Sequence, residues 1–250
     1  MTEELFRKDA RLAMCSAQVL ALTPQGIVLN RTVFYPLGGG QAGDTGVLLL
    51  EDGSEIAIAD TRKEKDDSAT PTGRIVHMAA PGQEALLARL QAGDSVAARI
   101  DWERRHRMMR LHSATHLLCH LVPQLVNGCS ITPDYARMDF AMTDPLDKDV
   151  LTQGLAALVA AAHPFAVESI SDEDLDANPQ LVKSMSVQPP RGTGRIRTIR
   201  IGGVGGTALI DLQPCGGTHV GNSAEIGAIA VTKIEKKSAT TRRVVLGFAE

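Results

Sequence analysis

The chain has 250 residues, a length that suits one large domain or two small ones and allows a sizeable buried core. Its hydrophobic fraction of 44% and charged fraction of 22% are ordinary for a globular protein, while aromatic residues make up only 3%. The net charge of −3 argues against a protein that coats nucleic acid non-specifically, although it leaves room for a local basic patch.

The cysteine pattern is typical of a protein from a reducing compartment, and the lack of long apolar runs argues against a membrane span. The four cysteines form no CxxC pair and no disulfide-like framework. The start of the chain carries acidic charges and no signal-peptide pattern, and no run approaches the roughly eighteen apolar residues that a membrane span needs. We therefore expect a cytoplasmic protein with no membrane partner, in which a cysteine stays free to bind metal.

The first part of the chain is dominated by short β-prone runs that are separated by turns containing glycine and proline. The predicted strands are residues 15–22, 26–30, 32–35, 47–50, 55–59, 74–78 and 95–100, with a short helix at 84–91 and an exposed loop at 63–72. Strands at this spacing predict a small β-barrel or sandwich. We place the end of this N-terminal β-barrel domain at residue 95.

A glycine-rich run at residues 34–46 has five glycines in nine residues. Glycine permits positive φ angles and a close approach of the backbone to another group. The run fits equally a tight corner of the barrel and a surface where backbone amides meet an RNA backbone or the end of a substrate. It contains no lysine or arginine and matches neither the P-loop nor the dinucleotide fingerprint, so a mononucleotide phosphate site is not expected.

Residues 101–122 predict one long helix, with an acidic start and apolar positions at a 3.6-residue spacing. His112 and His116 are four residues apart, so both imidazoles would project from one face, as two ligands of one metal ion require. His120 continues this spacing. Because three such residues span about 12 Å of helix axis, all three cannot reach one tetrahedral ion, and spacing alone does not choose the pair.

A thiolate and a third imidazole come from Cys215 and His219, about a hundred residues later in a glycine-containing stretch. Two helical histidines with a distant Cys/His pair form a ligand set typical of zinc and poor for magnesium or calcium. Elsewhere the sequence predicts strands at residues 129–132, 136–142, 165–170, 196–201, 207–212, 226–235 and 242–248, and helices at 147–162 and 171–178. Residues 96–250 are therefore predicted to form an α+β domain.

Residues 34–46, 112–116 and 215–219 closely resemble the AlaX proteins and the editing domain of alanyl-tRNA synthetase, and threonyl-tRNA synthetase shares the zinc-site pattern. The likeness continues at residues 133–140 and 233–243 and covers nearly the whole chain in family order. It implies the longer AlaX type, an N-terminal barrel followed by an α+β editing domain of the threonyl/alanyl-tRNA synthetase second-additional-domain type. Since 250 residues leave no room for the aminoacylation domain of the synthetase, the resemblance implies a free-standing, trans-acting editor.

The resemblance implies an ATP-independent hydrolase that deacylates tRNA(Ala) mischarged with serine, with glycine as a further candidate. It transfers the zinc ligands to His112, His116, Cys215 and His219. Because catalytic zinc keeps one position open, we expect the first three to be firm ligands and His219 to be a weaker fourth ligand or to hold a zinc-bound water. Whether zinc activates water or only shapes the pocket stays open.

Serine exceeds alanine by one hydroxyl, which a hydrogen-bonding site can select. The candidate readers are Thr115, Asn127, Ser130 and Thr132; Thr115 ranks first, and a bond from Thr115 to a helix carbonyl is the alternative. From the glycine-rich motif, the expected tRNA or substrate contacts are Gly38, Gly39, Gly40, Gln41 and Asp44. Basic residues would bind RNA phosphates. The first candidates are Arg104, Arg105, Arg195, Arg197, Lys236 and Arg242, from a wider pool that includes Arg107, Arg191, Lys233, Lys237 and Arg243.

Two other functions fit the same residues: a non-catalytic tRNA-binding module with structural zinc, and a zinc-dependent deacylase for another mischarged tRNA. The first predicts tRNA binding and metal-dependent folding without turnover, and assays on several charged tRNAs would separate the second. A metal peptidase is disfavoured, because Ser113 stands where the HExxH pattern has its glutamate.

Overall fold

The computed structural model describes residues 1–189, 192, 194–203, 205 and 208–249. The chain divides into two compact units: the first contains residues 1–38 and 42–105, and the second contains residues 39–41 and the chain from His106 onward. The first unit thus extends beyond residue 95, where we placed the domain limit. The reason is that the strand at residues 95–100 is an integral member of its barrel.

The first unit contains a closed six-stranded β-barrel, which confirms the barrel prediction, and a separate parallel pair of short strands, β1 and β4. Its strands are β1 (Glu3–Glu4), β2 (Met14–Thr23), β3 (Gly26–Leu29), β4 (Arg31–Thr32), β5 (Gly46–Leu49), β6 (Glu55–Lys65), β7 (Pro71–Ala79) and β8 (Ser95–Ile100), with helix α1 (Glu84–Leu87) before β8. The barrel order is β2-β3-β7-β6-β5-β8. Alternate residues point inward, as the period of a strand requires, and Val19, Ile56 and Val96 are among those that fill the core.

Three local predictions in this unit are corrected. Half of the expected loop at 63–72 is strand, because Lys63 pairs with Ile75 and Lys65 pairs with Pro71 across the β6–β7 hairpin, and the loop is limited to residues 66–70. The expected strand at 32–35 ends at Thr32, because the Tyr35 amide donates to the Asp44 carboxylate instead of to a strand partner. The expected helix at 84–91 is reduced to α1.

The second unit is α+β, as predicted. Its elements are α2 (Trp102–Leu121, which begins in the first unit), β9 (Val126–Ile131), β10 (Tyr135–Ala141), α3 (Lys148–Ala160), β11 (Phe165–Ile170), α4 (Asp172–Ala177), β12 (Ile196–Gly202), β13 (Leu209–Pro214), β14 (Ile229–Ser238) and β15 (Thr241–Phe248). Two antiparallel sheets have the orders β14-β15-β10-β9 and β11-β12-β13. Thr207, where we expected one strand to begin, lies outside the described residues.

Helix α2 is unusual because residues 111–119 are buried on every side. Leu111, Leu117 and Leu118 are apolar, but the same turns carry histidine, serine and threonine. Buried polar groups are costly unless they are hydrogen-bonded, so each of these side chains needs a partner. Among the described residues, no helix is both long and apolar enough to cross a membrane.

Candidate metal centre

Four side chains of the second unit bring their ligand atoms within 4.8 Å of one another: His112, His116, Cys215 and His219. The first two lie on the buried half of α2, and the other two lie in the loop after β13. The Cys215 sulfur is 3.5 Å from His112 Nε2 and 3.2 Å from His219 Nε2. The structure also chooses between the helical pairs, since His120 is exposed and bonds the Ile210 carbonyl through Nδ1.

The His112 ring is oriented by Gln41, which belongs to the glycine-rich run. Gln41 Oε1 lies 2.8 Å from His112 Nδ1 and 3.1 Å from the Thr218 amide nitrogen, and Gln41 Nε2 donates to the Thr218 hydroxyl at 2.9 Å. Because the Thr218 N–H can only donate, the oxygen end of the amide must face it. The same oxygen faces Nδ1, so Nδ1 carries the proton and Nε2 is left with its lone pair toward the centre.

The His116 ring is oriented by Asp211 on β13. His116 Nδ1 lies 2.8 Å from Asp211 Oδ2, which also accepts from Gln213 Nε2 at 2.7 Å. A carboxylate can only accept, so the proton sits on Nδ1 here as well, and Nε2 is the ring nitrogen left to bind a metal. The second carboxylate oxygen of Asp211 pairs with Lys183.

The His219 ring has a weaker partner. Its Nδ1 lies 3.3 Å from the Ser113 hydroxyl, which also accepts from the Val220 amide at 3.2 Å. Since a hydroxyl can donate or accept, Ser113 does not determine which nitrogen of His219 carries the proton. The Phe165 ring stacks on His219, with the ring centroids 6.2 Å apart.

The backbone of the second loop approaches His112 so closely that only glycine fits at position 217. A Cβ there would lie well inside contact distance of the His112 ring and 3.0 Å from Gln41 Oε1. The Gly217 amide also donates to the Cys215 sulfur at 3.4 Å. Gly217 therefore serves the packing of this loop against the helix.

The electrostatics of the group favour metal-binding forms of the sulfur and of one imidazole. Burial alone would raise the pKa of the Cys215 thiol, but His112 and His219 hold it well below 9.0. Burial and the neighbouring His112 lower the pKa of His219 from 6.5 to about 3. Burial would lower the pKa of His116, but the hydrogen bonds and charges of Asp211 and Cys215 raise it to about 9.

A metal ion fits this donor set. Two tautomers are fixed so that Nε2 points inward, a thiolate is favoured, and all four donors face one another at short range. Imidazole and thiolate are borderline-soft ligands, and the oxygen-rich shell that calcium or magnesium needs is not part of the set. The arrangement can therefore hold a transition metal such as zinc.

Two of the predicted contacts in the glycine-rich motif are corrected. Gln41 is 0% exposed and Asp44 is 1% exposed, and both side chains bind protein groups, so neither can meet tRNA directly. Gly40 has φ +85°, and a Cβ there would lie 2.9 Å from the Cys129 carbonyl oxygen, so its glycine serves packing. For Gly38, whose carbonyl accepts from Tyr35, for the exposed Gly39 and for the half-buried Gly40, substrate contact stays a prediction.

The candidate hydroxyl readers lie in different surroundings. Thr115 is buried, and its hydroxyl donates to the His112 carbonyl at 2.6 Å, the helix bond that is the alternative role for this residue. Asn127 is exposed and donates to Thr241 at 3.3 Å, and Thr132 organises a turn by bonding Tyr135. Ser130 lies half-buried on β9. Their roles in discrimination stay predictions.

Two of the residues predicted to contact RNA phosphates are buried, and these two predictions are corrected. Arg105 is 0% exposed, and its guanidinium binds the Asp44 carboxylate and two carbonyl oxygens. Arg242 is 8% exposed and donates to the carbonyls of Ser238, Thr241 and Thr143. Each is an internal cross-link, and the sequence did not reveal this role because the partners are backbone oxygens and, for Arg105, a carboxylate 61 residues away in the chain.

The other basic candidates are more accessible. Arg104 is half-buried and donates to the Gly43 carbonyl, while Arg197 is half-buried and donates to the Cys215 carbonyl. Arg195 is exposed and donates to Ser169, and Lys236 is exposed on β14. Arg191 lies outside the described residues.

Sequence reasoning missed the residues that hold the histidines, namely Gln41 in this role, Ser113 and Asp211. Only Asp211 left a signal, because an acidic residue stands in the apolar run Leu209-Ile-Asp-Leu212. A charge in an apolar strand indicates a buried carboxylate that needs a partner.

Comparison with known proteins matches both parts of the chain. Residues 196–245 match the family described as "Threonyl and Alanyl tRNA synthetase second additional domain", and residues 7–104, the barrel region, match "tRNA synthetases class II (A)". The alanyl-tRNA editing protein AlaX-M of Saccharolobus solfataricus is 31% identical over 98% of both chains, and that of Methanosarcina acetivorans is 30% identical over 98% of both. The alanine–tRNA ligase of Saccharolobus islandicus is 30% identical over 94% of this chain, which spans 25% of the ligase.

Proposed function

Because this chain belongs to the AlaX-M family of alanyl-tRNA editing proteins, we propose that it hydrolyses the ester bond of tRNA(Ala) charged with serine, with glycine as a second substrate. The observation that most supports a hydrolase is the meeting of four metal-binding donors within 4.8 Å. The partner would be the mischarged tRNA, and the reaction would take place in the cytoplasm without ATP.

We assign zinc to the four donors, because thiolate and imidazole suit this ion. Bound there, zinc would supply Lewis-acid polarisation of the ester carbonyl. The chain itself holds His112 and His116 in one tautomer through Gln41 and Asp211, so the donors stay aimed without reorganisation. An aminoacyl ester is already activated, so orientation of the substrate is the main requirement left to the protein.

His219 would be the weaker fourth ligand, because Ser113 does not fix its tautomer. We expect His116→Ala to weaken zinc binding by more than the roughly 100-fold that loss of an outer partner costs, and His219→Ala to weaken it less. Zinc affinity, measured by competition with a chelator, checks the order. Equal losses in the two variants would contradict a weaker role for His219.

Selection of serine over alanine would come from a hydrogen bond to the serine hydroxyl, and Thr115 is the first candidate. Its hydroxyl donates to the His112 carbonyl, so it can only accept from the substrate. If Thr115 reads serine, Thr115→Val lowers the ratio of Ser-tRNA(Ala) to Ala-tRNA(Ala) deacylation by about tenfold or more. An unchanged ratio removes Thr115 and leaves Ser130, Asn127 and Thr132.

The deciding experiment is deacylation of Ser-, Gly- and Ala-tRNA(Ala) by the full chain, before and after treatment with a chelator. We expect rapid loss of the serine ester, slow loss of the alanine ester, and restoration of activity by zinc. Cys215→Ala serves as the control that should not recover. Binding of tRNA without turnover after zinc is restored would instead favour a non-catalytic module, and turnover of another charged tRNA would change the substrate.

A further inference from the structure

The three imidazoles of the metal centre differ in what holds their outer nitrogen. His112 Nδ1 meets a neutral amide oxygen, His219 Nδ1 meets a hydroxyl at 3.3 Å, and His116 Nδ1 meets a carboxylate at 2.8 Å. Hydrogen bonds to a charged acceptor are about twice as strong as those between neutral groups. A carboxylate partner also makes the ring more basic, which strengthens the bond from Nε2 to a metal.

The carboxylate in question is sealed inside the protein. The Asp211 side chain is 0% exposed, and its oxygens are shared among His116, Gln213 and Lys183. Moving a charged carboxylate from water into the protein interior costs free energy. A carboxylate therefore stays charged there only where opposite charge and hydrogen bonds compensate this cost. Lys183 supplies the opposite charge from a side chain that is 25% exposed.

The lysine is itself held in place by the sheet. The Val126 amide donates to the Lys183 carbonyl at 2.8 Å, and the Met185 amide donates to the Val126 carbonyl at 2.9 Å. Residues 183–185 thus run along the start of β9, with an isolated bridge between Ser184 and Val126. The ammonium group therefore reaches Asp211 from a fixed backbone, and Asp211 reaches His116 from a strand.

We propose that Asp211, supported by Lys183, is a positioning residue that makes His116 the anchoring ligand of the metal centre. It keeps the proton of His116 on Nδ1 and directs Nε2 inward, because a carboxylate can only accept a hydrogen bond. The proposal rests on the metal binding of the proposed function, but it concerns zinc affinity and ring geometry, which are measured without tRNA.

The test is a zinc titration of the metal-free full chain against a competing chromophoric chelator. Asp211→Asn keeps the shape of the side chain and removes its charge, and we expect zinc binding to weaken by about 10- to 100-fold. Lys183→Gln keeps the carboxylate and should cause a smaller loss. With zinc bound, the ¹⁵N shifts of the His116 ring should show a protonated Nδ1 and a metal-bound Nε2, and in Asp211→Asn the Nδ1–H proton should shift upfield because its hydrogen bond to a neutral acceptor is weaker.

Asp139→Asn is the matched control. Asp139 is another buried carboxylate of the second unit; it pairs with Arg243 at 2.7 Å and with Lys237, and its recorded hydrogen bonds and ion pairs among the described residues include none of the four donors. We expect this variant to lose thermal stability and keep its zinc affinity, which separates positioning from simple destabilisation.

An Asp211→Asn protein that binds zinc as tightly as the unsubstituted chain would overturn the inference and leave the proposed function standing. If Asp211→Asn does not fold, the zinc affinity of Lys183→Gln is the test. A Lys183→Gln protein that binds zinc as tightly as Asp139→Asn would overturn the inference. Failure of the unsubstituted chain to bind zinc would instead contradict the zinc-dependent hydrolase itself.

Discussion

At position 217 the loop backbone leaves room for a hydrogen atom and nothing larger, because the His112 ring and Gln41 occupy the space. A methyl group there would push His112 away from the other donors. We expect Gly217→Ala to reduce metal affinity and deacylation by at least about tenfold, the lower range for loss of a ligand's support. Zinc titration and the deacylation assay measure both effects.

Gly128→Ala on β9 is the control for this substitution. A Cβ at Gly128 would lie 3.6 Å from the Asp139 carboxylate, an ordinary contact, and glycine is not required there by a positive φ. We expect this variant to keep its zinc affinity. A Gly217→Ala protein with equally unchanged affinity would show that the loop moves aside.

His77 provides a residue-scale prediction for pH. It is 0% exposed and bonds the Ile27 carbonyl and the Thr32 hydroxyl, and burial lowers its pKa from 6.5 to about 4. Between pH 6.5 and pH 4, His77 is protonated in the unfolded chain and neutral in the folded chain. The free energy of unfolding therefore falls as the pH falls through this range. We expect His77 to lower the free energy of unfolding by about 2 kcal/mol at pH 4.5, and to have no effect on it above pH 6.5.

The measurement is the free energy of unfolding at pH 7 and pH 4.5, in the unsubstituted chain and in His77→Gln. Both proteins should be metal-free, so that release of metal in acid does not contribute. The decrease should be smaller in His77→Gln, whatever its stability at pH 7. Identical decreases would mean that His77 is protonated in the folded state.

Residue types predicted the donors of the metal centre but not the groups that hold them. His112, His116, Cys215 and His219 are recognisable because few other side chains bind zinc, whereas a glutamine can serve almost any polar site. The same limit explains the errors at Asp44, Arg105 and Arg242. A charged residue in the sequence suggests an exposed contact, and its burial depends on partners that lie far away in the chain.

At the scale of elements, the strands were predictable because alternation of apolar and polar residues is local. β8 and β11 have the bounds that the pattern indicated, and α2 differs by one residue at each end. The errors arise where pairing with a neighbouring strand overrides the local pattern. Lys63 and Lys65 have the polar character of a loop, yet both pair with β7 in the β6–β7 hairpin.

A metal held by the four donors would join α2 to the loop after β13, elements that are about a hundred residues apart in the chain. Since the unfolded chain lacks the preformed site, binding is added to folding stability, about 4 kcal/mol when zinc exceeds its dissociation constant a thousandfold. We expect chelation to lower the unfolding temperature and zinc to restore it. Cys215→Ala should respond much less, and an equal response would place the stabilising metal elsewhere.

At the scale of the whole molecule, the order of barrel and α+β unit was predictable, since strand-rich and helix-containing halves differ in pattern. The three residues 39–41 were not assignable from the sequence, because they group with the second unit although their neighbours on both sides belong to the first. Such an assignment depends on contacts made with the far end of the chain.

The bonds between Gln41 and Thr218 join residues 177 positions apart, and this has a consequence for biosynthesis. The ribosome adds Gln41 early in translation. At a translation rate of about 5 to 20 residues per second, Thr218 is added roughly ten seconds or more later. During that interval the glutamine has no partner, and His112 emerges before the loop that will face it. The nascent chain therefore cannot complete its zinc site until translation is nearly finished.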